Sequence, residues 1–131
     1  MCDSHGSPLA AMLTGGEAHE CKSAQALVDA VRIGRRKRPG MIAGDKGYSF
    51  PFVRRMLRMR GIKPLIPSKS NQPREEQFDR QAYQRRNIIE RLVGWLKERR
   101  RLCTRFEKLA ENYLAMVKLA FIEKCLALGN Q

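Results

Sequence analysis

Tyr83, Arg86, Glu90 and Lys97 stand at spacings of three, four and seven residues within YQRRNIIERLVGWLK, residues 83–97. The stretch has no proline and a single glycine, and its apolar residues recur at helical intervals, which predicts a helix. At about 100° per residue the four polar side chains fall within roughly 60° of one another. Ile88, Ile89, Leu92, Val93 and Leu96 are assigned to the other side. Guanidinium and ammonium groups suit phosphate, and a carboxylate suits a divalent metal. A metal-holding carboxylate among phosphate-binding cations is what a nuclease or strand-transfer site needs. The competing reading is a solvated helix face with ordinary i,i+4 charge pairs.

Such a helix must be positioned by a folded domain, and 131 residues suit one. The apolar fraction of 43% allows a core with no surplus. The net charge of +13 and a pI near 10.3 call for a polyanionic partner. Nucleic acid is the commonest, with structured RNA or an anionic membrane surface as alternatives. Basic residues are spread through the folded-looking segments, which favours a binding face over a charged tail. Cys2, Cys21, Cys103 and Cys125 form no CxxC pair, and His5 and His19 have no metal-ligand spacing, so neither zinc nor a disulfide framework is indicated. No signal peptide or membrane-length apolar run is present in the sequence.

The remaining elements are placed in chain order. Residues 1–14 read as the end of one strand, a turn at His5-Gly6-Ser7 and a second strand from Pro8 to Thr14. Residues 23–33 read as an amphipathic helix. RRKRPG (35–40) is either a solvated turn or a phosphate contact. MIAG (41–44) predicts a buried strand with Asp45 at its carboxyl end, where open α/β sheets place functional groups. Gly47 is expected to supply a left-handed turn, Ser49 to cap the next helix, and Gly61 to stop it. Prolines make IKPLIP (62–67) an edge strand. Residues 67–78 read as a loop that orders on DNA. Asp79 is expected to cap one continuous helix to about Leu102, about 36 Å long at 1.5 Å per residue. A closing helix follows over residues 106–128, ended by Gly129.

GDKGYS (44–49) paired with YQRRNIIERLVGWLK (83–97) resembles the DDE transposases of bacterial insertion sequences. Tyr83, Arg86, Glu90 and Lys97 meet the family's Y-x2-R-x3-E-x6-K spacing in full. The stretches at residues 100–120 and 2–20 are similar too, so the resemblance runs over nearly the whole chain. It implies an α/β (α+β) fold: a partial RNase H-like domain spanning residues 1–131. Its short mixed sheet would lack its first strand and pack against helices, including a long carboxyl-terminal helical pair.

The resemblance further implies that Asp45 and Glu90 are the second and third catalytic, metal-binding carboxylates. Tyr83, Arg86 and Lys97 would hold transposon-end DNA, with Lys46, Arg85 and Arg91 beside them. Mg²⁺ or Mn²⁺ is expected only in a complete site. The family's first aspartate lies upstream of this segment, and Asp3, at a turn of the next strand, is not it. The expectation is therefore a carboxyl-terminal core fragment, inactive alone and either decayed or completed by an upstream reading frame. The alternative is a basic DNA-binding module that inhibits or partners full-length transposase. A homodimer could cover the unpaired sheet edge. The implied location is bacterial cytoplasm, nucleoid-associated, with no membrane partner.

Overall fold

The computed structural model describes residues 1–15, 20–31, 33 and 38–129. His19 and residues 35–37 of the basic run at 35–40 lie outside the described residues. The chain divides into two compact units. One, the sheet unit, comprises residues 14–86. The other, the terminal unit, joins residues 1–13 to residues 87–131.

The sheet unit contains α1 (Glu20–Ala30), β1 (Met41–Ala43), a 3-10 turn (Lys46–Tyr48), α2 (Pro51–Met59), β2 (Lys63–Leu65) and α3 (Arg80–Gln84). β1 and β2 pair in parallel, with Met41, Ile42 and Ala43 opposite Lys63, Pro64 and Leu65. The chain is thus of α/β type, with helix α2 as the crossover between parallel strands. Ala24, Val28 and Val31 from the α1 region, Val53 and Leu57 of α2, and Ile62, Leu65 and Ile66 around β2 are all buried. Ala24 and Val28 are four residues apart, as are Val53 and Leu57, so each helix turns one stripe inward. Arg60 pairs with Asp29 at 2.7 Å, tying the end of α2 to α1.

Gly61 stops α2 as expected, at φ +67°, where a side chain would be strained. Three other expectations fail. β1 is not buried: Met41 is 45% exposed, and Ala43 is exposed as well. β2 does stand at an edge of this two-stranded sheet, as expected, and is the better covered strand, with Pro64 and Leu65 buried. Gly47 does not adopt a positive φ, since a 3-10 turn closes the corner with ordinary right-handed geometry. Ser49 does not cap α2; Phe50 occupies that position without a side-chain cap, and Pro51 starts the helix.

The terminal unit holds α4 (Asn87–Lys97), α5 (Arg100–Cys103) and α6 (Ala110–Gly129). The single helix expected from Asp79 to Leu102 is therefore interrupted twice. At Arg85-Arg86 the Arg86 amide bonds to the Tyr83 carbonyl, a tighter i→i−3 turn. At Arg99 the backbone is extended (φ −76°, ψ 105°), and the guanidinium lies 4.3 Å from the Trp95 ring centroid and pairs with Glu123. The closing helix starts at Ala110 and not at 106, and it includes Gly129; Phe106 and Leu109 are left 71% and 66% exposed.

Leu102, Val117 and Ala120 form the core of this unit, with Trp95, Leu96, Tyr113, Met116 and Phe121 packed against it. Val93, assigned to the inward side, is 41% exposed. At the amino terminus the turn is where it was expected, with Gly6 at φ +88°. The two strands are reduced to one bridge between Cys2 and Pro8. Pro8 has no N–H to extend a ladder. No helix among the described residues is long and apolar enough to cross a membrane.

Candidate functional site

Asp45 stands just past the carboxyl end of β1, with Gly44 between them. The Gly44 amide donates to the Leu65 carbonyl at 3.1 Å, carrying the β pairing up to the turn. A Cβ on Gly44 would meet Ile66 at 3.4 Å and Tyr48 at 3.5 Å, so this corner is closely packed. Asp45 is extended (φ −79°, ψ 179°), and its Oδ1 accepts the Gly47 amide at 2.8 Å. The carboxylate caps the 3-10 turn through one oxygen and keeps a second oxygen for other chemistry. Lys46, next in sequence, is exposed.

Tyr83 sits in α3, whose start is fixed by Asp79: its Oδ1 accepts the Ala82 amide at 2.9 Å. The Tyr83 ring packs against Phe78, centroids 5.2 Å apart, and the Arg86 guanidinium lies 5.7 Å from its centroid, within cation–π range. Tyr83 and Arg86 are half-buried, and Arg85 is exposed. Glu90 stands in the first turn of α4 and Lys97 in its last, both exposed, as is Arg91.

The expected row on one helix face is thus redistributed. Asp45, Lys46, Tyr83, Arg85 and Arg86 belong to the sheet unit, and Glu90, Arg91 and Lys97 to the terminal unit. Tyr83 and Arg86 are in direct contact, while α3 and α4 are separate helices. Asp3 serves local structure. Its Oδ1 accepts the His5 and Ser7 amides at 2.8 and 2.9 Å. Partial burial pushes its carboxyl up, but the Ser7 and His5 hydrogen bonds outweigh this and the net shift is downward.

A polar cluster beside the Asp45 turn has no signature in the sequence. Ser49 is fully buried; its hydroxyl donates to Gln72 Oε1 at 2.6 Å and accepts from Arg54 Nη2 at 3.1 Å. Gln72 Nε2 donates to the Ser49 carbonyl at 2.7 Å, and Arg54 Nη2 also reaches the Ile66 carbonyl at 2.8 Å. These bonds fasten part of the segment 67–78 to the turn. Only the pairing of residues far apart in sequence creates the cluster, so no local pattern announces it.

Residues 42–126 match the family described as the Transposase DDE domain. A curated protein of Burkholderia cepacia, named as a transposase for insertion sequence element IS402, is 35% identical over 123 residues. That alignment takes in 89% of this chain and 56% of the relative, so the chain spans little more than half of that protein's length. No solved structure matches. The chain belongs to the DDE transposase family of insertion sequences, and the matched segment contains both GDKGYS and the Tyr83–Lys97 signature.

DDE domains as a class work with divalent metal ions held by carboxylates. Among the described residues no three His, Cys, Asp or Glu side chains gather in a group that could hold a metal. Asp45 and Glu90 are oxygen donors of the right kind for a hard cation. Two such carboxylates do not by themselves make the donor set of a two-metal centre.

Proposed function

We propose that this chain acts in DNA transposition, as part of an enzyme that cuts DNA strands and joins them to new sites with the help of divalent metal ions. The observation that carries this reading is the placement of Asp45, presented at the carboxyl end of β1 inside the family-matched segment. Asp45 and Glu90 are assigned as metal-binding carboxylates of the catalytic set. A bound Mg²⁺ or Mn²⁺ would activate the attacking oxygen and neutralise charge on the leaving one. Tyr83, Arg86 and Lys97, with Lys46, Arg85 and Arg91, hold the phosphates of the transposon ends and fix their position. Two carboxylates fall short of the donor set of a two-metal centre, so these residues by themselves are expected to bind DNA without cleaving it.

The test is cleavage of end-labelled duplex DNA in Mg²⁺ and Mn²⁺, by the chain alone and mixed with the upstream part of a full-length relative. The chain alone is expected to bind DNA and leave it intact. The mixture is expected to cleave, and Glu90→Ala to abolish that cleavage. Cleavage that survives Glu90→Ala would remove Glu90 from the site. A second reading, a basic module that binds transposon ends and restrains the complete enzyme, is favoured by the exposed cations Lys46, Arg85, Arg91 and Lys97. It needs no carboxylate, so Glu90→Ala would leave its affinity unchanged or raise it.

A further inference from the structure

Arg54 and Arg58 stand one turn apart on α2 and share a single carboxylate. Glu75 Oε2 is 2.8 Å from Arg54 Nη1, and Oε1 is 2.8 Å from Arg58 Nη2. The two arginines are held differently. Arg54 is 13% exposed and is also fixed by Ser49 and the Ile66 carbonyl. Arg58 is 58% exposed, and Glu75 is the partner its guanidinium reaches. Beside them lies an open groove of about 370 Å³, lined by Arg58, Lys63, Glu75, Glu76 and Phe78.

Two guanidinium groups gripping the two oxygens of one anion make the geometry that also recognises the non-bridging oxygens of a phosphodiester. A carboxylate in that grip has the charge and fork of a phosphate. We infer that Arg54 and Arg58 form a DNA phosphate site that Glu75 occupies in the free protein, and that a backbone phosphate displaces Glu75. Arg54 is the fixed half of the site. Arg58 is the half that exchanges partners, and Lys63 supplies a further cation along the groove. Glu75 belongs to the segment 67–78, so its displacement releases two of the bonds fastening that segment to α2. The inference rests on DNA being the partner.

Glu76 supplies the control, since it is exposed, adjacent in sequence and of the same charge. Affinity for a short fluorescein-labelled duplex would be read by anisotropy across a salt series, with circular dichroism confirming the fold of each variant. Glu75→Gln is expected to bind about tenfold tighter, as a charge-assisted site is vacated for phosphate. Its salt slope is expected to steepen by about one phosphate contact. Glu76→Gln removes the same charge from a screened position and is expected to gain about twofold or less. The Glu75→Gln gain is expected to vanish on an Arg58→Gln background. In the otherwise unaltered chain, Arg58→Gln should weaken binding more than Arg55→Gln on the same helix.

Equal gains from Glu75→Gln and Glu76→Gln, or a gain that survives Arg58→Gln, would overturn the latch. Failure of every variant to bind DNA would instead sink the proposed partner. Inorganic phosphate, compared with chloride at equal ionic strength, separates the two sources of the anion. A melting shift of Glu75→Gln in phosphate without a gain on DNA would overturn the assignment to DNA.

Discussion

The sheet unit places nine of the described buried apolar residues in its interior, from Cys21 to Ile66. The terminal unit places four, Leu92, Leu102, Val117 and Ala120, and leaves Leu119, Ile122 and Leu126 of α6 more than half exposed. The sheet unit also buries a polar residue completely, Ser49, and satisfies it from three directions. In the terminal unit the ion pair that ties α6 back to the start of α5 is an exposed one, Arg99 with Glu123. Exposed pairs of this sort contribute little, whereas a buried hydroxyl with satisfied partners makes each of them dependent on the others. The region around Asp45 is therefore a rigid mounting, and the region bearing Glu90 rests on a smaller core.

The sharpest way to break this contrast is a pair of truncations. Leu57→Ala empties a position that is 2% exposed and should cost about 2–5 kcal/mol. Leu119→Ala removes a side chain 58% exposed and should stay within about 0.5 kcal/mol. Denaturant melts of the two variants check this, and equal losses would erase the distinction between the units.

Ser49→Ala is the next largest expected effect. It removes one hydrogen bond from Gln72 Oε1, which keeps the Lys69 amide at 3.2 Å, and one from Arg54 Nη2, which keeps the Ile66 carbonyl at 2.8 Å, for a loss of about 0.5–1.5 kcal/mol per bond. Amide exchange through residues 67–78 should speed up in this variant. Unchanged exchange there would mean that the serine fastens nothing.

The smallest effect concerns the terminal unit and depends on pH. The folded Asp3 carboxyl titrates below its unfolded value, so its contribution is present in full above the unfolded pKa and fades as pH falls through the folded one. The Ser7 amide shift, followed by NMR, should titrate below the usual aspartate range. A midpoint at or above that range would contradict the turn geometry.

Local chemistry made part of this architecture readable in advance. Asp45 after a short apolar run, Gly61 at a helix end and Asp79 before a helix each act within a few residues, and each stands where its local preference puts it. The failures come from partners that sequence order does not reveal. MIA reads as a buried strand by hydropathy, yet the buried residues gather around β2, at Ile62, Leu65 and Ile66, and leave Met41 and Ala43 exposed. The stretch from Asp79 to Leu102 has unbroken helical periodicity, yet it bends at Arg85-Arg86 and again at Arg99, where a side chain reaches Trp95 and Glu123. The residue types of the candidate site were legible from their spacing. Their division between two units, and the Ser49–Gln72–Arg54 cluster beside Asp45, were not.

The capping role of Asp45 also bears on how such a chain changes over generations. Its Oδ1 holds the Gly47 amide, and an asparagine offers the same oxygen to the same bond. Glutamate, longer by one methylene, keeps the charge and loses the fit of the turn. Drift at this position thus has one mild exit: a lineage freed from selection for metal binding can accept Asn and keep its fold. A copy that carries Asn there would be a well-folded relic, its corner intact and its charge gone.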